Sequence, residues 1–223
     1  VHCGDVLAAY HGALAGRLAG LPVLCHVRSR RADLSRRDLL FIRQAHHFAF
    51  VSAQTRRAFA LPLPDARATV LYDGIALPPA LDPAQKAALR QEVLAEFGFP
   101  PDTILAGMFG RIAPAKDYPT LIQATALLRQ QHPSLRILLA GDTSFNAATR
   151  EHTVEVRAAI HAAGLDGAVH LTGHRSDVTR LMQAIDLFVL SSHSEGLPLV
   201  ILEAMACGAP VVATAIDGVP EII

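Results

Sequence analysis

The feature that most constrains this chain is a rhythm: short apolar runs alternate with helical patterns along its whole length. Such alternation indicates βαβ units, and βαβ units build parallel sheets. In the first part, Asp5–Ala19 is expected as a helix ending at Gly20, and Pro22–Val27 as a strand. Arg36–His46 follows as a helix, Phe48–Val51 as a strand, Ala53–Ala60 as a helix, Ala68–Leu71 as a strand and Asp73-Gly74 as a turn. From Thr103 a second series begins. Its strands are expected at Ile104–Phe109, Leu135–Ala140, Ala168–Leu171, Leu187–Leu190 and Val211–Ala213. Its helices are expected at Tyr118–Gln131 (capped by Asp117), Thr153–Ala163 (ended by Gly164), Asp177–Ala184 and Pro198–Ala206. A βα series of this kind is characteristic of a doubly wound sheet.

Between the two series the pattern breaks. Residues 77–102 hold Pro78-Pro79, Pro83, a helical run from Ala84 to Phe97, and Pro100-Pro101, and are read as a connector. The expected division is therefore 1–76, a partial Rossmann-like domain; 77–102, the connector; and 103–223, a second Rossmann-like domain. At 223 residues with 51% hydrophobic side chains, there is enough chain and apolar surface for such cores. The stretch Leu197 to Ile216 is about as long as a membrane span. It contains Glu203, Pro198, Pro210 and Gly208, and is read as helix, turn and buried strand.

Charge excludes one class of partner. Lys plus Arg and Asp plus Glu both total 20, so no global electrostatic case for nucleic acid exists. Cys3, Cys25 and Cys207 are odd in number and lack metal-pair spacing, which fits a reducing, cytoplasmic setting. The chain opens on Val1, no signal peptide is visible, and the start is expected to fall inside a domain.

In open α/β sheets ligands bind beyond the carboxyl ends of the strands. Two such ends are unusual here. Gly110-Arg111-Ile112-Ala113-Pro114-Ala115-Lys116 follows the strand Ile104–Phe109. Gly110 permits a sharp turn, Arg111 can grip an anion bidentately, and Lys116 adds a point charge. Taken alone, this loop reads better as two surface cations. The second end is Ser194-Glu195-Gly196-Leu197-Pro198-Leu199, continuing to Glu203. Pro198 suits a first helical turn, and a helix N-terminus over Gly196–Leu199 would offer N–H groups to a phosphate. Glu203 is an acid on an otherwise apolar helix that is expected to be buried; charged residues are seldom buried without a partner, and a bound polyhydroxyl ligand would give it one. The bland alternatives are a capping Glu195 and a Glu203 that faces solvent.

Together these residues resemble glycosyltransferase family 4, retaining enzymes of the GT-B fold. The pattern is Glu195 and Glu203 within SEGLPLVILEAMACGAPVVAT, with the upstream GRIAPAK, LLAGD, Gly173-His174, Asp177 and AIDLFVLSS. It covers nearly all of 103–223. VHCGDVLAAYHGALAGRLAGLPVLCHVRSR, FVSAQTRRAF and VLYDGIALP match the acceptor side more loosely. Asp73-Gly74 stands where the family usually has Asn-Gly, and Lys116-Asp117 where it has Lys-Gly.

The resemblance implies a GT-B-like α/β fold and no metal or cofactor, with a nucleoside-diphosphate sugar, UDP- or GDP-linked, as donor. Arg111 and Lys116 would stabilise the leaving diphosphate, assisted by Gly110, Gly196, Leu197 and Leu199. Glu203 would bind the ribose, Glu195 the sugar, and His26 would face the sugar from the acceptor side. A structural His26 is an equal alternative. The acceptor would be a glycan or lipid-linked molecule of polysaccharide, glycolipid or cell-envelope synthesis. The opening strands and closing helices of the family fall outside this stretch, so weak or no turnover is expected of it alone. A GT-B epimerase and a non-catalytic sugar-nucleotide-binding module are the competing readings. Arg28, Arg30, Arg31, Arg36, Arg37 and Arg43 form a basic cluster tempered by Asp33 and Asp38. It reads as a solvated face, or more sharply as peripheral contact with anionic lipid.

Overall fold

A computed structural model describes residues 1–31 and 33–223, and the statements below concern those residues. Its backbone contacts group into two units. The first comprises Val1–Gly74, Ser194–Pro198 and Ala215–Ile223; the second comprises Ile75–His193 and Leu199–Thr214. Both are built on parallel sheets, as the alternation predicts.

The first unit runs β1 (His2–Cys3), α1 (Val6–Leu18), β2 (Leu24–Val27), α2 (Arg36–Ile42), β3 (His47–Phe50), α3 (Ala53–Arg57) and β4 (Ala68–Val70). The strands lie in the order β1-β2-β3-β4, all parallel. Phe48 and Phe50 are fully buried on β3 and meet Phe59 at 5.7 and 5.3 Å between ring centroids, forming an aromatic centre for this core. Helix starts follow local chemistry. The Asp5 carboxylate accepts from the Leu7 N–H, and Ser35 with Asp38 and Ser52 with Thr55 form reciprocal caps. The Glu221 carboxylate also accepts from the α3 amides of Ala53 and Gln54 at 2.8 and 2.7 Å, which ties the 215–223 segment to this unit.

Three details differ from the sequence expectation. β1 was not expected, because two residues carry no periodicity. The helices expected to reach His46 and Ala60 stop at Ile42 and Arg57. Asp73-Gly74 lies in irregular chain rather than in a turn, and the Asp73 carboxylate is taken by Arg28 at 3.4 Å.

The second unit runs α4 (Pro83–Glu96), β5 (Ile104–Phe109), α5 (Tyr118–Leu128), β6 (Leu135–Ala140), α6 (Ala147–Ala162), β7 (Val169–Gly173), α7 (Val178–Ala184), β8 (Leu187–Leu190), α8 (Leu199–Ala206) and β9 (Val211–Ala213). The sheet order is β7-β6-β5-β8-β9. The chain winds outward from β5 to β7, then returns to the other side of β5, so the winding direction reverses between β5 and β8. The segment 77–102 is mostly α4, and α4 is anchored within this unit. Arg90 donates to the carbonyls of Ala184 and Thr103 at 2.8 and 2.7 Å, and Glu96 pairs with Arg175 and Arg180 at 2.8 and 2.7 Å.

α6 begins six residues before the expected Thr153. Its buried face carries Thr149, His152 and Thr153, so the inward stripe is polar and hides the helical period. The apolar stretch at 197–216 divides into α8, a left-handed Gly208 at φ 72°, and β9. No helix among the described residues is long and apolar enough to cross a membrane.

Candidate functional site

The carboxyl ends of β5, β6 and β7 are stitched together by backbone. Gly110 N–H donates to the Ala140 carbonyl at 2.8 Å, Gly141 N–H to Gly173 at 2.9 Å, and Ile112 N–H to Asp142 at 3.3 Å. Gly141 has to be glycine: a Cβ placed there would stand 1.8 Å from the Gly110 carbonyl oxygen. The Gly110–Lys116 loop is clasped from β8 as well. Ser191 Oγ donates to the carbonyls of Lys116 and Asp117 at 3.0 and 2.9 Å, and His193 N–H to Ala115 at 2.8 Å. Asp117, in a left-handed conformation at φ 49°, caps α5 by accepting from Thr120 N–H, as expected.

Above these strand ends lies a cavity of about 530 Å³. Gly110 and Arg111 line it from β5, Asp142 from β6, His174 and Arg175 from β7, and Val200 and Glu203 from α8. Lys116 folds against Gly110, its Cε 3.6 Å from where a Gly110 Cβ would be. The second unit thus brings together Gly110, Arg111, Lys116 and Glu203, far apart in sequence, at the edge where doubly wound sheets receive ligands. The volume is of the order usual for small-molecule sites.

The charges in this cavity are not equivalent. Arg175 is locked by a bidentate pair with Asp177, both contacts 2.7 Å, and by Glu96 at 2.8 Å. The Arg175 guanidinium in turn holds the Asp177 carboxyl below its ordinary pKa. Arg111 instead lies 5.6 Å over the Phe145 ring, an arrangement that steadies a guanidinium without consuming its hydrogen-bond donors. The Asp142 carboxyl is held below its ordinary pKa first by the Ser144 N–H at 2.8 Å.

The burial argument for Glu203 fails. It is exposed, and on α8 only Ile201 and Ala204 are fully buried, with Met205 45% exposed. An all-apolar sequence here covers one face of a half-buried helix. Glu203 therefore faces open space, and what singles it out is its place in the cavity. The helix opens at Leu199, one residue after Pro198.

Glu195, Gly196, Leu197 and His26 belong to the first unit, and Leu199 opens α8 in the second. Gly196 has a packing reason to be glycine: a Cβ would meet the Arg28 carbonyl oxygen at 2.0 Å. Leu197 is buried, 9% exposed. Glu195 N–H donates to the Asp217 carboxylate at 2.9 Å. His26 lies half-buried on β2, stacked on His2 at 6.0 Å, with Asp73 4.0 Å from its Nε2. Burial pushes its pKa down, Asp73 opposing. Three of the six clustered arginines have carboxylate neighbours: Arg28 with Asp73, Arg30 with Asp217 and Arg31 with Asp5. Arg36 and Arg37 lie on α2, and Arg43 ends it.

Sequence reasoning did not single out Asp142, Arg175, Phe145 or Asp217 as site residues. Asp142 and Arg175 were legible in principle, since each lies two residues beyond a strand end. Phe145 and Asp217 carry no local signal. Among the described residues no group of three His, Cys, Asp or Glu side chains is arranged to hold a metal ion. A second cavity of about 530 Å³, in the first unit, is lined by Phe50, Arg56, Arg57, Phe59 and Leu63 and holds none of the expected residues.

The chain is 35% identical over 156 residues to D-inositol 3-phosphate glycosyltransferase of Mycolicibacterium smegmatis, covering 70% of this chain and 34% of that protein. It is 32% identical over 151 residues to the enzyme of the same name from Segniliparus rotundus, covering 65% and 32%. The chain thus spans about a third of the length of the curated relatives it matches. The crystal structure of Anabaena HepE in complex with UDP-glucose superposes with a TM-score of 0.83 at 27% identity, over 100% of this chain and 61% of that one. The family model described as glycosyl transferases group 1 matches residues 90–223. That match takes in every strand of the second sheet and the whole Glu195–Glu203 stretch, and the chain belongs to the group 1 glycosyl transferases.

Proposed function

We propose that this chain binds a nucleoside-diphosphate sugar and takes part in moving the sugar to a glycan or lipid-linked acceptor with retention of anomeric configuration. One observation carries the reading. Arg111 and Glu203 line a single cavity at the carboxyl edge of a parallel sheet, with Lys116 folded against its Gly110 rim.

The chemistry follows from that arrangement. When the bond between the anomeric carbon and the phosphate oxygen breaks, the diphosphate departs with the electron pair and its negative charge grows. Cations already in place lower the barrier because they need not reorganise as the charge develops. Arg111 and Lys116 fill that role, and two fixed cations serve without a metal. Glu203 accepts hydrogen bonds from the ribose hydroxyls, and Glu195 orients the sugar. His26, whose pKa burial pushes down, is the candidate sugar-site residue on the acceptor-side unit. UDP is the first nucleotide to try, since HepE has been crystallised with UDP and with UDP-glucose. The free thiols support a cytoplasmic setting. The arginines between Arg28 and Arg43 support peripheral contact with an anionic membrane, which liposome flotation with and without anionic lipid checks.

The direct test is a thermal-shift and calorimetric screen of UDP-, GDP- and ADP-sugars. One of them should stabilise the chain, and Arg111→Ala and Glu203→Ala should each weaken its binding about tenfold or more. Loss of a charge-assisted contact is worth about 1.5–3 kcal/mol. Failure of all three nucleotides, or full affinity in both variants, would refute the reading.

A further inference from the structure

Asp217 carries three features that seldom coincide. Its backbone is left-handed at φ 42°, a conformation non-glycine residues adopt at a cost and Asp and Asn tolerate best. Its side chain is buried, 6% exposed. One carboxylate oxygen, Oδ2, accepts from both Ser194 Oγ–H at 3.1 Å and Glu195 N–H at 2.9 Å. The other, Oδ1, lies 3.9 Å from Arg30. Asp217 and the residues it holds all belong to the first unit.

A glycine stands next in the chain and does not take the strained conformation: Gly218 has φ −81°. Its smallness is used elsewhere, since a Cβ there would meet the Gly196 carbonyl oxygen at 2.1 Å and Ser52 at 3.1 Å. Gly196 is in turn pressed on the Arg28 carbonyl. The Ser194–Pro198 segment is thus gripped on two sides by packing through Gly196, and its Ser194-Glu195 end is held by Asp217. A buried carboxylate on a strained backbone, spent on the amide of a candidate site residue, is poorly explained by stability alone.

We propose that Asp217 is a positioning residue: it fixes the backbone at Glu195 and so aims the Glu195 side chain at the donor sugar. This rests on the sugar-contacting role given to Glu195 above. Asp217 acts through the loop it holds. Conformation and acceptor function separate cleanly by substitution. Asp217→Gly relieves the positive φ but removes the acceptor. Asp217→Asn keeps the tolerance for positive φ and one carbonyl oxygen able to serve both donors, and gives up only the pairing with Arg30.

The test compares wild type, Asp217→Gly and Asp217→Asn by calorimetry with UDP and with UDP-glucose, alongside amide hydrogen exchange over residues 194–198. In Asp217→Gly the Glu195 amide should exchange at least tenfold faster. Its affinity for UDP-glucose should fall about tenfold while that for UDP changes less than twofold. Asp217→Asn should stay within threefold of wild type in all three measurements. A Gly variant that matches wild type, one that loses both ligands equally, or an Asn variant as poor as Gly overturns the proposal. Should wild type bind neither ligand, or Arg111→Ala bind UDP as wild type does, the donor-site reading itself fails. Exchange at Glu195 then still decides whether Asp217 holds the loop.

Discussion

Gly141→Ala tests the geometry of the candidate site most sharply. An alanine Cβ at this position would lie 1.8 Å from the Gly110 carbonyl oxygen, 2.7 Å from its carbon and 3.4 Å from the Arg111 nitrogen. All three are backbone atoms, which cannot rotate away as a side chain would. The ends of β5 and β6 must therefore part by more than an ångström. That movement pulls on the Gly110–Ala140 and Gly141–Gly173 hydrogen bonds, now 2.8 and 2.9 Å. Overpacking costs about 1–3 kcal/mol, and each loosened backbone bond adds about 1 kcal/mol. The expected loss is therefore about 3–5 kcal/mol, or a fall of about 10 °C in Tm for a chain of this size. Two glycines serve as controls. Gly167 has nothing within 4 Å of a built Cβ and no positive φ, so Gly167→Ala should be within about 0.5 kcal/mol of wild type. Gly164 is equally open but has φ +66°, so Gly164→Ala should cost about 1–2 kcal/mol from strain alone. Urea unfolding followed by circular dichroism orders the three. UDP affinity should fall at least tenfold in Gly141→Ala alone, because Arg111 moves with the strand end. A Gly141→Ala protein as stable as Gly167→Ala would refute the packing argument.

Two further outcomes follow from the charges and thiols. Glu96 has its pKa lowered first by its hydrogen bond from Arg180 and then by Arg175. A depressed carboxyl contributes stability above its unfolded pKa and loses it as pH falls through the folded value. Glu96→Gln should therefore be less stable than wild type at pH 7, by about 1 kcal/mol or less for a partly exposed network. The gap should narrow as pH falls below the ordinary carboxylate range in a series of unfolding curves; a gap that does not change with pH would contradict the pairing. Cys3 and Cys25 are buried, and burial pushes the Cys25 thiol up to about 12, whereas Cys207 is partly exposed. Thiol titration at about pH 8 should find one reactive group in the folded protein and three in denaturant; fast labelling of all three would show a looser first core.

Much of this molecule was readable one residue at a time. The alternation of apolar runs and helical stretches located the strands from β2 to β9 and the helices between them, because burial on a pleated or helical surface imposes a period on the chain itself. Gly110, Arg111 and Lys116 were marked by following a strand, and Asp117 by its capping chemistry. Reading failed where the buried face was polar, as at Thr149 and His152 on α6, and where the element was too short for a period, as at β1.

Tertiary structure decided what pattern cannot encode, namely which distant groups meet. Composition made α8 look wholly buried, yet only packing could show that Glu203 faces an open cavity. Gly141 and Gly196 are required to be small by carbonyls 31 and 168 residues away in the chain, those of Gly110 and Arg28. Asp217 is an ordinary turn residue in the sequence and becomes a buried anchor only because the fold returns its carboxylate to Glu195. A periodic pattern records how deeply a side chain is buried; it holds no record of the partner that buries it.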